Sequence, residues 1–216
     1  MTYCMADIHG NWKAFQAMLG KIGFGPEDTL YIIGDVIDRG PDGIPLLWEI
    51  LSSPNITLLL GNHEQMCLDT LGRNNRAGAR ALWLSNGGES TFVRLMYGCS
   101  LRQRMELLEA LARLPDCMDI EVEGRTFHLV HGRPGGDTHT RIWERPTPSA
   151  PSPLPGRTVI VGHTPTPFFT GDEDSPAAIY HGDGLIAIDC GCGDGKPCSR
   201  LACLRLEDMA EFYVEE

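Results

Sequence analysis

The chain has 216 residues, 42% hydrophobic and 22% charged, the balance of an ordinary globular protein, which excludes a disordered, collagen-like or coiled-coil chain. A formal net charge of −11 with no lysine- and arginine-rich run excludes general nucleic-acid binding, and no apolar run approaches the ~20 residues of a membrane span. Glycine and proline, 25 and 15 residues, make up about 19% of the chain against about 12% in average proteins, so a loop-rich enzyme fits better than a helical bundle.

Tyr3–Ala6 reads as a short strand running into Asp7-Ile8-His9-Gly10. Trp12, Phe15, Met18, Leu19 and Ile22 then recur at helical spacing behind an Asn11 cap. The unit repeats: strand Leu30–Ile33 stops at Gly34-Asp35, and Pro41 opens a helix with Ile44, Leu47, Trp48 and Leu51 on one face. A third apolar run, Ile56–Leu60, ends at Gly61-Asn62-His63-Glu64 before another helix. Short apolar strands alternating with helices predict parallel βαβ units. Helical patterns at Ala77–Leu84, Glu89–Met96 and Leu101–Leu114 predict a helical insertion. Strands return, with hairpin-like spacing, at Met118–Glu123, Thr126–His131, Thr158–Val161, Leu185–Asp189 and Leu201–Leu206. Six prolines between His131 and Thr158 predict an irregular surface loop. The length suits one domain, residues 1–216.

The N-terminal residues lack a basic region followed by an apolar one, so the expected location is cytoplasmic and the eight cysteines are expected as reduced thiols. Cys190, Cys192, Cys198 and Cys203 lack the paired C-x-x-C form of common zinc or iron–sulfur sites.

Asp7 and His9 are one residue apart, so on an extended backbone their side chains point the same way. Asp35 and Asn62 follow the second and third strands after intervals of 28 and 27 residues, one strand–helix–strand step each. These positions then meet at the carboxyl edge of one sheet, where open α/β folds place ligand sites. His131-Gly132 and Gly162-His163-Thr164 each follow an apolar strand and add two imidazoles. An oxygen and imidazole set without thiolate favours manganese, iron or zinc. His163 directly follows its strand and is favoured as a ligand over His181, while His128 falls on the opposite face from His131 and His139 lies in the proline-rich loop.

Asp7-Ile8-His9-Gly10, Gly34-Asp35-Val36-Ile37-Asp38-Arg39-Gly40, Gly61-Asn62-His63-Glu64, His131-Gly132 and Gly162-His163-Thr164 together resemble the ordered signature of the phosphoprotein phosphatases, a metallophosphoesterase family, and among them the bacterial and bacteriophage lambda-like serine/threonine phosphatases. The likeness takes in Trp83-Leu84-Ser85-Asn86-Gly87-Gly88 and Ile142-Trp143-Glu144-Arg145. It departs from the family at Ala6, where glycine is usual, at Gly132, where alanine is common, and at Cys190, where threonine is common.

The resemblance implies an α/β fold, a calcineurin-like metallophosphoesterase β-sandwich with flanking helices and a small helical insertion. It further implies two divalent ions, manganese foremost with iron or zinc as alternatives: Asp7, His9 and Asp35 hold one, and Asp35 bridges to a second held by Asn62, His131 and His163. A metal-bridging hydroxide would attack phosphorus directly. His63 would protonate the leaving alkoxide with Asp38 orienting it, and Arg39 and Arg145 would bind phosphate oxygens. The expected substrate is phosphoserine or phosphothreonine in a protein or peptide, with no nucleic-acid or membrane partner. The alternative on the same fold is symmetrical hydrolysis of diadenosine tetraphosphate, whose enzymes typically resemble this chain except for alanine at the position of Asp38.

Overall fold

Strand β1 (Thr2–Met5), helix α1 (Trp12–Ile22), strand β2 (Thr29–Ile32), helix α2 (Gly43–Ser52), strand β3 (Ile56–Leu58) and helix α3 (Asn62–Leu71) follow one another in the computed structural model, which describes residues 1–72, 76–147 and 154–215. The three strands pair in parallel, Thr2 opposite Thr29 and Leu30 opposite Ile56. Asn11 caps α1 by accepting from the Ala14 N–H at 3.0 Å, and Gly23 closes it in the left-handed conformation.

The expected insertion comprises α4 (Ala79–Ser85), α5 (Glu89–Val93), a π-helical turn at Arg94–Gly98, and α6 (Leu101–Leu111). Ser100 starts α6 with a capping box: its hydroxyl accepts from the Gln103 N–H and the Gln103 side chain accepts from the Ser100 N–H at 3.0 Å.

A second sheet follows, built from β4 (Cys117–Val122), β5 (Arg125–Val130), β6 (Thr158–Val161), β7 (Tyr180–His181) and β8 (Leu185–Ala187) in the order β4-β5-β6-β8-β7. The hairpin expectation holds for β4–β5 but not for β5, β6 and β8, which are parallel because their connections are long enough to cross over, while β7, a strand the sequence pattern does not show, forms a second hairpin with β8. The chain returns to the first sheet as β9 (Arg200–Arg205), antiparallel to β1, and β10 (Glu211–Glu215) at its edge. The proline-rich connection is not wholly irregular. It contains α7 (Thr138–Trp143), capped by Asp137, which accepts from the Thr140 N–H at 2.9 Å; its Pro148, Pro151 and Pro153 lie outside the described residues. A short helix α8 (Pro167–Thr170) follows β6.

Side-chain alternation along the strands of the first sheet feeds two buried clusters. Tyr3, Met5, Leu30, Ile32, Leu201 and Cys203 pack against Phe15 and Met18 of α1 and Leu46, Leu47 and Ile50 of α2. Their neighbours Cys4, Ala6, Ile33, Ala202 and Leu204 face the other way, meeting Phe127, Leu129, Ile160 and Ile186 between the sheets. Each fully buried large aliphatic side chain contributes about 1.5–3 kcal/mol. A one-residue slip in any strand would exchange the two sets, so the register is tightly specified. One consequence is that the carboxyl ends of β1, β2 and β3 and those of β5, β6 and β8 open on one rim, delivering Asp7, Asp35, Asn62, His131, His163 and Asp189 to it. Among the described residues no helix is long and apolar enough to cross a membrane.

Candidate functional site

The loops at this rim are strained. Asp7, His9, Asp35, Asp38, Arg39 and His163 have φ between 48° and 74°, six of the eight non-glycine residues with positive φ among the described residues. Asp7 and His9 therefore do not share an extended face as the spacing suggested. The loop after β1 curls onto the loop after β2, with the Ile8 and His9 N–H groups donating to the Asp35 carbonyl at 2.9 and 3.0 Å and Gly10 N–H to Val36 at 2.7 Å. Left-handed conformations cost such residues about 1–3 kcal/mol each and persist only when the surroundings over-determine them. Gly34, at φ 77°, sits where a Cβ would lie 2.6 Å from His131 Nδ1 and 2.7 Å from Gly61 Cα. Only glycine fits.

Glu64, which the sequence reading did not use, is fully buried on the first turn of α3. Its carboxylate accepts from the N–H groups of Asp35 and Val36, both at 2.9 Å, and of Gly61 at 3.1 Å, tying the loop after β2 to the loop after β3. Burial, reinforced by the charge of Asp35, pushes Glu64 up to about 7 against the pull of these amides. The signal was available: glutamate three residues after a glycine at a helix start is capping-box spacing.

Three imidazoles each have one ring nitrogen pinned by a backbone carbonyl. His9 Nδ1 lies 3.1 Å from Ile37 O, His131 Nδ1 2.7 Å from Ile33 O and His163 Nε2 3.0 Å from Trp143 O. In the neutral rings this fixes the proton on the pinned nitrogen and leaves a lone pair on the other. Those lone pairs converge on acceptors. Asn62 Oδ1 is 3.0 Å from both His131 Nε2 and His163 Nδ1, and Asp35 Oδ2 is 3.3 Å from His131 Nε2 and 3.9 Å from His9 Nε2. Ligand atoms of Asp35, His131 and His163 lie within 4.8 Å of one another, as do those of His9, Asp35 and His63. With the rings neutral these are acceptors facing acceptors, which a bound cation would reconcile as the proton on His131 does without one, and the oxygen–imidazole donor set suits a divalent first-row metal.

Asp7 belongs to neither three-residue group; its carboxylate accepts from the His163 N–H at 3.0 and 3.2 Å. Burial and the nearby Asp189 carboxylate push Asp7 well up, a penalty that a bound cation would relieve. Burial would also raise Asp35, but the charges of His131, His63 and His9 hold it well below the usual carboxylate range. His131 is pushed up to about 10, the Asp35 charge overcoming burial, whereas burial and the His131 charge bring His163 down to about 4.

Beside this cluster, His63 Nδ1 lies 2.7 Å from Asp38 Oδ2, and its Nε2 points back to Asp35 Oδ2 at 3.8 Å. Burial disfavours the charged ring, yet Asp35 and Asp38 raise it above its ordinary value. Trp83 Nε1 donates to the same Asp38 oxygen at 2.7 Å, and the Asp38 N–H donates to Thr91 Oγ1 at 2.9 Å. Trp83 and Thr91 belong to the helical insertion, so α4 and α5 hold the dyad in place. Arg39 is ion-paired with Asp194, and the exposed Arg145 guanidinium lies over the Phe168 ring at 5.5 Å. Arg133 is engaged by Glu144.

The remaining histidines fall elsewhere. His181 pairs with Glu211 at 2.7 Å on exposed β7, His128 pairs with Asp119 at 2.7 Å, and His139 stacks on Trp143. All eight cysteines are free, and none belongs to a candidate metal group among the described residues. At the departure from the family pattern, Cys190 Sγ accepts a long 3.8 Å hydrogen bond from Thr166.

The profile of the calcineurin-like phosphoesterase family matches residues 2–190. The chain belongs to this family. The two-sheet architecture is that of the family. The chain is 30% identical over 130 residues, 60% of its length and 56% of the relative's, to serine/threonine-protein phosphatase 2 of Escherichia coli. It is 40% identical over 133 residues, 60% of its length and 44% of the relative's, to the symmetrical bis(5'-nucleosyl)-tetraphosphatase of Haemophilus ducreyi. It thus spans about half the length of these relatives. A metallophosphoesterase structure from Sphaerobacter thermophilus superimposes with a TM-score of 0.60 at 21% identity, covering 99% of this chain and 88% of the other, a likeness of fold.

Proposed function

We propose that this metallophosphoesterase hydrolyses phosphoserine and phosphothreonine monoesters in proteins, with two divalent ions, manganese foremost. Asp7, His9 and Asp35 would hold one ion, and Asp35, Asn62, His131 and His163 the other. The ions supply Lewis-acid activation of water and charge compensation for the phosphoryl oxygens. The observation that carries the reading is the buried Asp38 carboxylate committed to His63 at 2.7 Å. That pairing favours the protonated imidazole, whose Nε2–H faces the ligand cluster. A serine alkoxide is a strongly basic leaving group, so the P–O bond breaks with proton transfer from His63 Nε2 to the departing oxygen. Water supplies the incoming oxygen, with no phosphoenzyme. Arg39, steadied by Asp194, and Arg145 orient the remaining phosphoryl oxygens through their planar guanidinium groups.

A second reading, symmetrical hydrolysis of diadenosine tetraphosphate, is supported by the name of the Haemophilus relative at 40% identity. A nucleoside diphosphate leaves as a weaker base and has less need of an Asp38-supported acid. The experiment is kcat/KM with manganese on phosphoserine and phosphothreonine peptides and on diadenosine tetraphosphate. Higher values on the peptides support the first reading, and a preference for the dinucleotide replaces it with the second.

A further inference from the structure

The helical insertion carries a charge opposite to that of the chain. Residues 76–113 contain six arginines and three glutamates, a net charge of +3 within a chain of −11. Large apolar side chains stand in solvent on the same helices: Tyr97 is 82% exposed, Leu101 63%, and Leu82, Val93 and Met105 about half. Cations interleave with them. The Arg80 guanidinium lies 4.4 Å over the Phe92 ring, Arg104 Nη1 lies 2.9 Å from the Met96 sulfur, and Arg94 is exposed on the π-helical turn. Arg76, Arg102 and Arg113 are paired with Asp69, Glu106 and Glu109. No carboxylate pairs with Arg80, Arg94 or Arg104 among the described residues.

The insertion also reaches the active site. Besides the Trp83 and Thr91 contacts with Asp38, the Arg39 N–H donates to Gly87 O at 2.9 Å and Ser90 Oγ to Gly40 O at 3.0 Å. Leu82 adjoins Trp83 in sequence, and Val93 is two residues from Thr91, so α4 and α5 each carry site contacts and exposed apolar surface.

We propose that this face binds an acidic stretch of polypeptide, punctuated by apolar side chains, that flanks the phosphorylated residue of the substrate; the proposal rests on the protein-phosphatase reading. Three arginines without carboxylate partners supply charge complementarity for glutamate and aspartate, and the apolar side chains between them supply contact area. A second copy of the chain is a poor occupant, because a symmetric contact would set each cationic face against itself. Contact with the elements that hold Asp38 favours a partner that also enters the active site, which a substrate chain does and an anionic membrane does not.

The test uses the manganese-loaded protein, the double variant Arg94→Glu/Arg104→Glu and the single variant Tyr97→Ser. The substrates are an acidic phosphoserine peptide carrying leucine and phenylalanine, its counterpart with lysine for each acid, and p-nitrophenyl phosphate. Wild type should prefer the acidic peptide. The double variant should lose roughly tenfold in kcat/KM on it, mainly through KM, as exposed attractions become repulsions. Tyr97→Ser should lose several-fold on both peptides, and both variants should keep their p-nitrophenyl phosphate turnover. The unphosphorylated acidic peptide should bind wild type by fluorescence anisotropy, more weakly in high salt, and bind the double variant poorly.

No discrimination between the peptides, equal losses on p-nitrophenyl phosphate, or binding of anionic vesicles in place of the peptide would overturn the docking proposal. The two proposals fail separately. Slow turnover of every phosphopeptide, with retained arginine-dependent binding of the unphosphorylated peptide, would defeat the phosphatase reading alone; absent binding with fast, variant-insensitive peptide turnover would defeat docking alone.

Discussion

Replacing Asp38 by asparagine tests the acid assignment with little change of shape. The carboxylate oxygen at 2.7 Å from both His63 Nδ1 and Trp83 Nε1 becomes a neutral group, and the charge that helps to hold the His63 proton is lost. A hydrogen bond to a charged group contributes about 1.5–3 kcal/mol. At about 1.4 kcal/mol per factor of ten, that predicts a fall of roughly 10- to 100-fold in kcat on a phosphoserine peptide. The fall on p-nitrophenyl phosphate should be several times smaller, because nitrophenolate leaves without a proton. The pH profile adds a sign. As the proposed acid His63 must be protonated, and Asp38 is one of the charges raising its pKa over the opposing effect of burial. Asp38→Asn should therefore move the alkaline limb of kcat to lower pH. The assay is kcat against pH on both substrates at saturating manganese. Equal losses on the two leaving groups, or an alkaline limb that does not move, would refute the acid role.

Chelation should abolish turnover and manganese should restore it, with Asp35→Asn the most damaging ligand change in calorimetric metal titrations; undiminished activity of the stripped protein would contradict this. Glu64→Gln should cost about 2–4 kcal/mol in denaturant unfolding, since an amide cannot accept from all the N–H groups the buried carboxylate now serves; a change below about 0.5 kcal/mol would contradict it. Gly34→Ala should weaken manganese binding as well as stability, because its methyl group must displace the His131 ring; unchanged manganese affinity would count against that close approach. Arg145→Ala should raise KM and lower kcat together, with lysine rescuing only part; unaltered kinetics would leave Arg145 as a surface residue over Phe168.

The parts of the site legible in the sequence are those carried by short-range rules. Asp35 and Asn62 end apolar strands one βαβ step apart, so periodicity brings them to a common rim; His131 and His163 also follow apolar strands, but the parallel pairing of β5 with β6 that carries them to that rim is not visible in the local pattern. What escaped depends on distant pairing. Trp83 meets Asp38 across 45 residues and Asp194 meets Arg39 across 155, and neither residue type in its local setting advertises a partner. The left-handed turns at Asp7 and His9 arise from hydrogen bonds to Asp35 and Val36 in another loop, so a strand rule applied to Asp-x-His gives the right grouping for the wrong geometry. Helix α7 was hidden because six residues with two large apolar side chains show no periodicity among so many prolines. The arginine-rich face of the insertion was masked by the net negative charge of the whole chain.

The proposed two-ion site rests on Asp35 standing between His9 on one side and His131 and His163 on the other. Anomalous diffraction from crystals grown with manganese measures this directly. Two peaks flanking the Asp35 carboxylate, about 3.5–4 Å apart, are the predicted result. A single ion, or ions remote from Asp35, would contradict it.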